Sequence, residues 1–129
     1  MAVNPLPRPT DAELEILNVL WAQGACTVRQ VHEALIATRE SGYTTILKLM
    51  QIMFEKGLVT RDDSERSHVY RAKQKEQMTQ RQLLTDLLSR AFGGSTEKLV
   101  LQALSAKKAT KDELAEIRRL LNELEGRAE

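Results

Sequence analysis

Apolar positions recur along this chain at intervals of three and four, and polar or glycine-containing breaks divide the pattern into helices. Thr10 followed by Glu13 makes a capping box that opens the first helix, whose buried face is expected to carry Leu14, Leu17, Leu20 and Trp21. Gly24 stops it. Thr27 and Gln30 open a second helix in the same way, with Val31, Ala34 and Leu35 facing inward, and Ser41-Gly42 makes the next turn. A third helix then runs from Tyr43, with Ile46, Leu49, Met50 and Met53 on one face. Thr44, Lys48, Gln51 and Glu55 form the opposite stripe, and Thr45 lies beside them. Gly57 ends it, because only glycine takes the left-handed terminating conformation without steric cost.

The period then changes from 3.6 to 2. Leu58-Val59-Thr60-Arg61 and His68-Val69-Tyr70-Arg71 read as two strands around a tip spanning Asp62 to Ser67. Helical periodicity returns from Lys75 to Phe92 with Leu83, Leu84, Leu87, Leu88 and Ala91. Gly93-Gly94 breaks it, and Ser95 caps a helix expected to bury Leu99, Val100 and Leu104. A last capping box, Thr110 with Glu113, opens a stripe of Leu114, Ile117, Leu121 and Leu124, widened by Leu120, before a frayed end from Gly126 to Glu129. The fold class is therefore mainly α. A proline-rich arm (residues 1–9) precedes a winged helix-turn-helix domain (residues 10–73) with a small β-wing, and a helical dimerisation region (residues 74–126) follows. The last three helices hold roughly fifty residues, too few for a comfortable core of their own. Their apolar stripes call for a partner, and pairing with a second copy through Leu84, Leu88, Leu114, Ile117, Leu121 and Leu124 is favoured over packing back on the wing domain.

Charge changes little in this picture. The 129 residues carry 19 Lys/Arg and 18 Asp/Glu, for a net charge of +1, and the two halves are equally balanced. A phosphate-binding surface would need charges segregated onto one face, which totals do not reveal. One cysteine, Cys26, excludes an internal disulfide and a cysteine-cluster metal site, and a small buried thiol is the expectation. No run approaches the about 20 apolar residues of a membrane span, and no signal-peptide core stands at the N-terminus, so a cytoplasmic protein without membrane insertion is expected. No Gly-rich phosphate loop, no Ser/His/Asp arrangement and no paired histidines at metal spacing occur, so neither an enzyme nor a metal or cofactor protein is expected.

The candidate chemistry lies on the third helix. A helix entering the major groove presents its first turn to base edges, here Tyr43, Thr44 and Thr45. Threonine offers a hydroxyl and a methyl group, tyrosine stacks on sugar or bonds phosphate, Lys48 suits phosphate, and Gln51 suits adenine. On the wing, Arg66, Ser67 and His68 are candidates for phosphate or minor-groove contact. Asp62, Asp63 and Glu65 would repel phosphate unless they pair with Arg61, Arg66 or Arg71. His68 alone makes no metal site, and a strand position with a local hydrogen bond is expected for it. The expected function is a dimeric repressor bound to a palindromic operator in double-stranded DNA. The competing reading is a winged-helix protein-interaction adaptor that does not bind DNA, which the acidic wing and near-neutral charge favour.

The same residues resemble the penicillinase-repressor family (the BlaI/MecI type) of bacterial transcription regulators. The resemblance rests on Thr10-Asp11-Ala12-Glu13, Val19-Leu20-Trp21, Tyr43-Thr44-Thr45-Ile46 and Glu55-Lys56-Gly57-Leu58-Val59. It continues through His68-Val69-Tyr70, Phe92-Gly93-Gly94-Ser95, Leu99-Val100, Glu113-Leu114, Ile117-Arg118 and Leu120-Leu121. It implies a homodimeric winged-helix repressor that pairs through its C-terminal helices. It also implies release from DNA when a membrane-bound sensor protease triggers cleavage in the dimerisation region. Members cut in this way carry Asn-Phe after Gly-Gly-Ser, where this chain has Gln102-Ala103. Glu65 likewise stands at a wing position where glycine is common, and the cysteine cluster of a copper-responsive branch is missing.

Overall fold

The computed structural model describes residues 8–127. Helix α1 (Asp11–Gln23) is followed by a two-residue strand β1 (Cys26–Thr27), helix α2 (Val28–Leu35) and helix α3 (Tyr43–Lys56). Strands β2 (Val59–Asp62) and β3 (Val69–Ala72) come next, then helices α4 (Glu76–Phe92), α5 (Thr96–Ala106) and α6 (Lys111–Arg127). The chain divides into two compact units, one reaching Leu84 and the other beginning at Thr85, so the division lies within α4. The residues of the N-terminal arm before Arg8 lie outside the described residues, whereas Pro9 is buried.

In the first unit α2 and α3 pack together, and α1 lies against both and against β3. The core is aliphatic. Ile16, Val31, Ile46, Met50 and Met53 are fully buried, joined by Leu17, Leu20, Cys26, Val28, Leu35, Leu58, Val59 and Tyr70. Burial of each large apolar side chain contributes about 1.5–3 kcal/mol relative to exposure. Two inward assignments need correction. On α1 it is Ile16, not Leu14, that is sealed in, with Leu14 half-buried, because the buried face is centred one residue earlier, on Glu13, Ile16, Leu17 and Leu20. On α2, Ala34 is exposed, since Val31 and Leu35 already fill the narrow stripe facing α3. Trp21 is half-buried against the core and its indole Nε1 donates to the carbonyl of Gln74 at 2.9 Å, tying α1 to the segment after the wing.

The sheet has the order β1-β3-β2 and is antiparallel throughout. Cys26 pairs with Tyr70 and Thr27 with Val69 on one side of β3. Arg61 pairs with Tyr70 and Asp62 with Val69 on the other. Cys26–Thr27, which shows no strand pattern in the sequence, is the third strand, and β2 and β3 each begin one residue later than the pattern suggests. His68 therefore precedes β3 instead of belonging to it.

Local chemistry fixes the helix ends. The Thr10–Glu13 and Thr27–Gln30 capping boxes are both complete. At the end of α3, Gly57 sits at φ 83° and ψ 17°; its N–H bonds the Phe54 carbonyl at 3.1 Å, and the Leu58 N–H bonds the Met53 carbonyl at 2.9 Å. That pair of bonds is a Schellman motif, and it turns the chain directly from α3 into the wing. One long-range pair reinforces this end: Lys56 Nζ donates to both carboxylate oxygens of Glu13 at 2.8 and 2.9 Å. Burial pushes the Glu13 carboxyl up, but the bonds from Lys56 and the Thr10 N–H outweigh it and hold the group below the usual carboxylate range.

The second unit is different in kind. Ser95 caps α5, bonding the Lys98 N–H at 3.1 Å, and the Thr110–Glu113 box opens α6 with bonds of 2.9 and 3.0 Å. Yet none of the described residues from 85 onward is buried. Leu99 is half-buried, whereas Val100 and Leu104, expected inside, are exposed. The helix α6 also continues through Gly126 to Arg127, past the expected fraying point, while the last two residues lie outside the described ones.

Candidate nucleic-acid interface

Two faces of α3 divide as the amphipathic pattern demands. Ile46, Met50 and Met53 show no exposure at all, and Leu49 is half-buried. Tyr43, Thr44, Thr45, Lys48, Gln51 and Glu55 all lie exposed on the other side. Thr45 has no capping role: Gly42 occupies the N-cap, without a side-chain bond to the first turn.

Beside this exposed row runs a groove of about 350 Å³, lined by the start of α2, by α3 and by the wing. It brings together Tyr43, Gln51, Arg66, Ser67 and His68 from the sequence-derived set, with Leu47 and Tyr70 among the other lining residues. Thr44, Thr45 and Lys48 do not line it; they stand on the exposed surface of the same helix. Sequence reasoning missed Thr27, Val28 and Arg29, which the start of α2 contributes. The available signal was Arg29 itself, a cation in the first turn of a capped helix, where the dipole favours acids. The helices α1, α4, α5 and α6 each carry Asp or Glu in the first turn, whereas α2 and α3 carry none. The electropositive N-terminal ends of α2 and α3, the two helices whose first turns line the groove, are thus left without acidic compensation.

The wing's acidic residues are engaged locally. The Arg61 guanidinium lies over the Phe54 ring, 4.1 Å from its centroid, with Nε 2.7 Å from Asp63 Oδ1. The Tyr70 hydroxyl and the Asp63 carboxylate hold that guanidinium above its ordinary pKa. The same Asp63 oxygen is 3.4 Å from Nδ1 of His68. Asp62 accepts the Ser64 N–H at 2.9 Å, which holds its carboxyl below the usual range. The local contact foreseen for His68 is therefore the approach of its Nδ1 to Asp63, made from the tip and not from a strand. Charge segregation, invisible in the totals, follows: no Asp or Glu lines the groove, while Arg29, Arg66 and His68 do. Glu65 remains exposed at the tip.

In the second unit, Gln102 and Ala103 lie exposed on α5, and Ala103 borders a cleft shared with Leu104, Lys107, Lys108, Thr110, Glu113 and Ile117. On α4 and α6, Leu84, Leu114, Leu121 and Leu124 are exposed, and Leu88 and Ile117 are half-buried. Among the described residues no group of three or more His, Cys, Asp or Glu is placed to hold a metal ion. No described helix is long and apolar enough to cross a membrane.

Comparison with known proteins agrees with this geometry. A family model described as "Penicillinase repressor" matches residues 9–123. The chain is 33% identical to "Transcriptional regulator BlaI" of Mycobacterium tuberculosis (strain CDC 1551 / Oshkosh), over 93% of this chain and 87% of that one. It is 23% identical to "Penicillinase repressor" of Staphylococcus aureus, covering 88% of this chain and 90% of that one. A solved structure, "Solution structure of the DNA binding domain of the repressor BlaI", superposes with a TM-score of 0.51 at 26% identity, covering 57% of this chain and 90% of that one. With a family match that spans most of its length and a winged helix as its first unit, this chain belongs to the penicillinase repressor family, whose members are transcription regulators and not enzymes.

Proposed function

We propose that this protein is a DNA-binding transcriptional repressor that acts as a homodimer on a palindromic operator. The observation that carries the reading is the exposed polar row of α3, backed by three side chains with no exposure and flanked by an acid-free groove that reaches the wing. In this reading α3 enters the major groove; Tyr43, Thr44 and Thr45 meet base edges and the adjoining backbone, Gln51 reads a base, and Lys48 meets phosphate. Arg66, Ser67 and His68 bring the wing to the flanking backbone. The apolar stripes of α4 and α6, exposed or half-buried in a single copy, support pairing through Leu84, Leu88, Leu114, Ile117, Leu121 and Leu124, which sets two copies of α3 on one duplex. A sensor protease cutting at Gln102-Ala103 is the route of release that exposed helix α5 offers, and incubation with such a protease followed by mass spectrometry would either find or exclude that scissile bond.

Binding to a palindrome from the chain's own promoter is expected to weaken steeply with salt, because each neutralised phosphate releases counterions. A flat response would favour an adaptor that recognises protein. Two substitutions separate the roles within the row. Thr44→Ala should cut the preference for the promoter over a scrambled duplex by about fivefold, while Lys48→Ala should weaken both duplexes equally and lower the salt slope by about one. Uniform loss in both variants would remove Thr44 from base readout.

A further inference from the structure

The groove holds a cation that comes from neither the exposed row of α3 nor the wing. Arg29 is exposed on the first turn of α2, and its guanidinium carbon lies 5.6 Å from the centroid of the Tyr43 ring. A ring face steers a guanidinium without neutralising it, so the charge stays available to a further partner. The perch is itself braced: His32 meets Tyr43 edge-on at 6.2 Å and 83°, and its Nε2 lies 3.1 Å from the Ser41 carbonyl in the turn before α3. Arg29 is thereby held in register with the N-terminal end of α3. Across the groove stand Arg66, Ser67 and His68 from the wing, and no carboxylate lines the space they share with Arg29. Two arginines from different elements, facing one acid-free channel, match a strand of phosphodiester better than they match bulk water.

We propose that Arg29 is a phosphate contact, and that Arg29 and Arg66 together seat one stretch of DNA backbone in the groove between α2 and the wing. The assignment rests on the DNA-binding reading above and extends it to a helix that the family of candidate residues on α3 and the wing leaves out. Arg29 is a backbone contact and not a base reader, since it stands on α2 and not on the row of α3 that faces outward. Its structural weight is small: a cation in the first turn of a helix is disfavoured by the dipole, which offsets the contribution of its contact with the Tyr43 ring, so removing it changes stability little.

The test uses fluorescence anisotropy of the full-length protein on two duplexes of equal length, one from the promoter of its own gene and one scrambled, over a salt series. Arg29→Ala is expected to weaken both duplexes by about tenfold and to lower the slope of log affinity against log salt by about one. Arg29→Lys should restore the slope and only part of the affinity, because lysine keeps the charge and loses the bidentate fork. The melting temperature of Arg29→Ala should stay close to that of the wild type, so that the affinity loss is not one of folding. An unchanged slope in Arg29→Ala, or a loss confined to the promoter duplex, would each overturn the assignment while leaving DNA binding intact. A wild type that binds neither duplex would overturn the DNA-binding reading and this assignment with it.

Discussion

Leu121→Asp is expected to convert the protein from dimer to monomer in sedimentation or light scattering and to lower operator affinity by about 10²–10⁴-fold. Leu121 is 54% exposed in a single copy, on the α6 stripe it shares with Leu114, Ile117 and Leu124. A carboxylate carried into an apolar seam without a partner costs several kcal/mol, and a two-fold seam would receive one from each copy. Two half-sites bound by one dimer benefit from effective concentration, and monomers forfeit that advantage, so the DNA effect exceeds the packing effect. Leu121→Met keeps volume and apolarity and should leave both measurements nearly unchanged. A Leu121→Asp protein that still sediments as a dimer would remove α6 from the seam.

The second large effect concerns folding. Lys56→Met is expected to destabilise the winged domain by about 2–4 kcal/mol, a figure reduced from that of a fully buried pair because the Lys56 side chain keeps 31% of its exposure. It takes from the Glu13 carboxylate, with its side chain only 3% exposed, the one Nζ that donates to both of its oxygens, and leaves it the Thr10 N–H. Thermal denaturation would register a fall of roughly 10 °C or more for a domain of this size. The pH dependence has a definite sign. The carboxyl of Glu13 is depressed on folding, so the wild type holds this stability above the ordinary glutamate range and loses it as pH falls toward the folded value. In Lys56→Met the carboxyl sits higher than in the wild type, because burial persists while the lysine bonds are gone. The gap between the two proteins should therefore narrow on acidification. A gap constant with pH would mean that the loss does not arise from the charge of Lys56.

That pair illustrates what a linear reading captures and what it omits. Glu13 was legible as the third residue of a capping box, since Thr10 stands three positions before it, and the box is complete. Its second partner lies 43 residues away, and no local pattern distinguishes Lys56 from any other base in a last helical turn. The row of α3 was readable for the same reason that the box was: both are periodic, short-range features. Strand β1 was not, because two residues cannot show alternation, and Cys26–Thr27 becomes a strand only through its pairing with Tyr70 and Val69. The groove is assembled from three separated segments, so Arg29 gained meaning only once α2, α3 and the wing were side by side. The wing's acidic residues were a genuine objection on paper, and the Phe54–Arg61–Asp63 stack answers it for Asp63, as the Ser64 N–H does for Asp62. In the second unit the capping residues Ser95, Thr110 and Glu113 behave as read, whereas inward burial of Val100 and Leu104 fails, because helices with so few residues lack a core of their own.

Amide chemical-shift mapping of the labelled protein titrated with its own promoter duplex addresses most directly whether the outward row of α3 meets nucleic acid. The largest perturbations should fall on Tyr43 to Gln51, on Arg29, and on Asp63 to His68 at the wing tip, with α1 and the Trp21–Gln74 contact undisturbed. Perturbations confined to α1 or to the α5–α6 cleft, with the row of α3 silent at saturating duplex, would contradict the account.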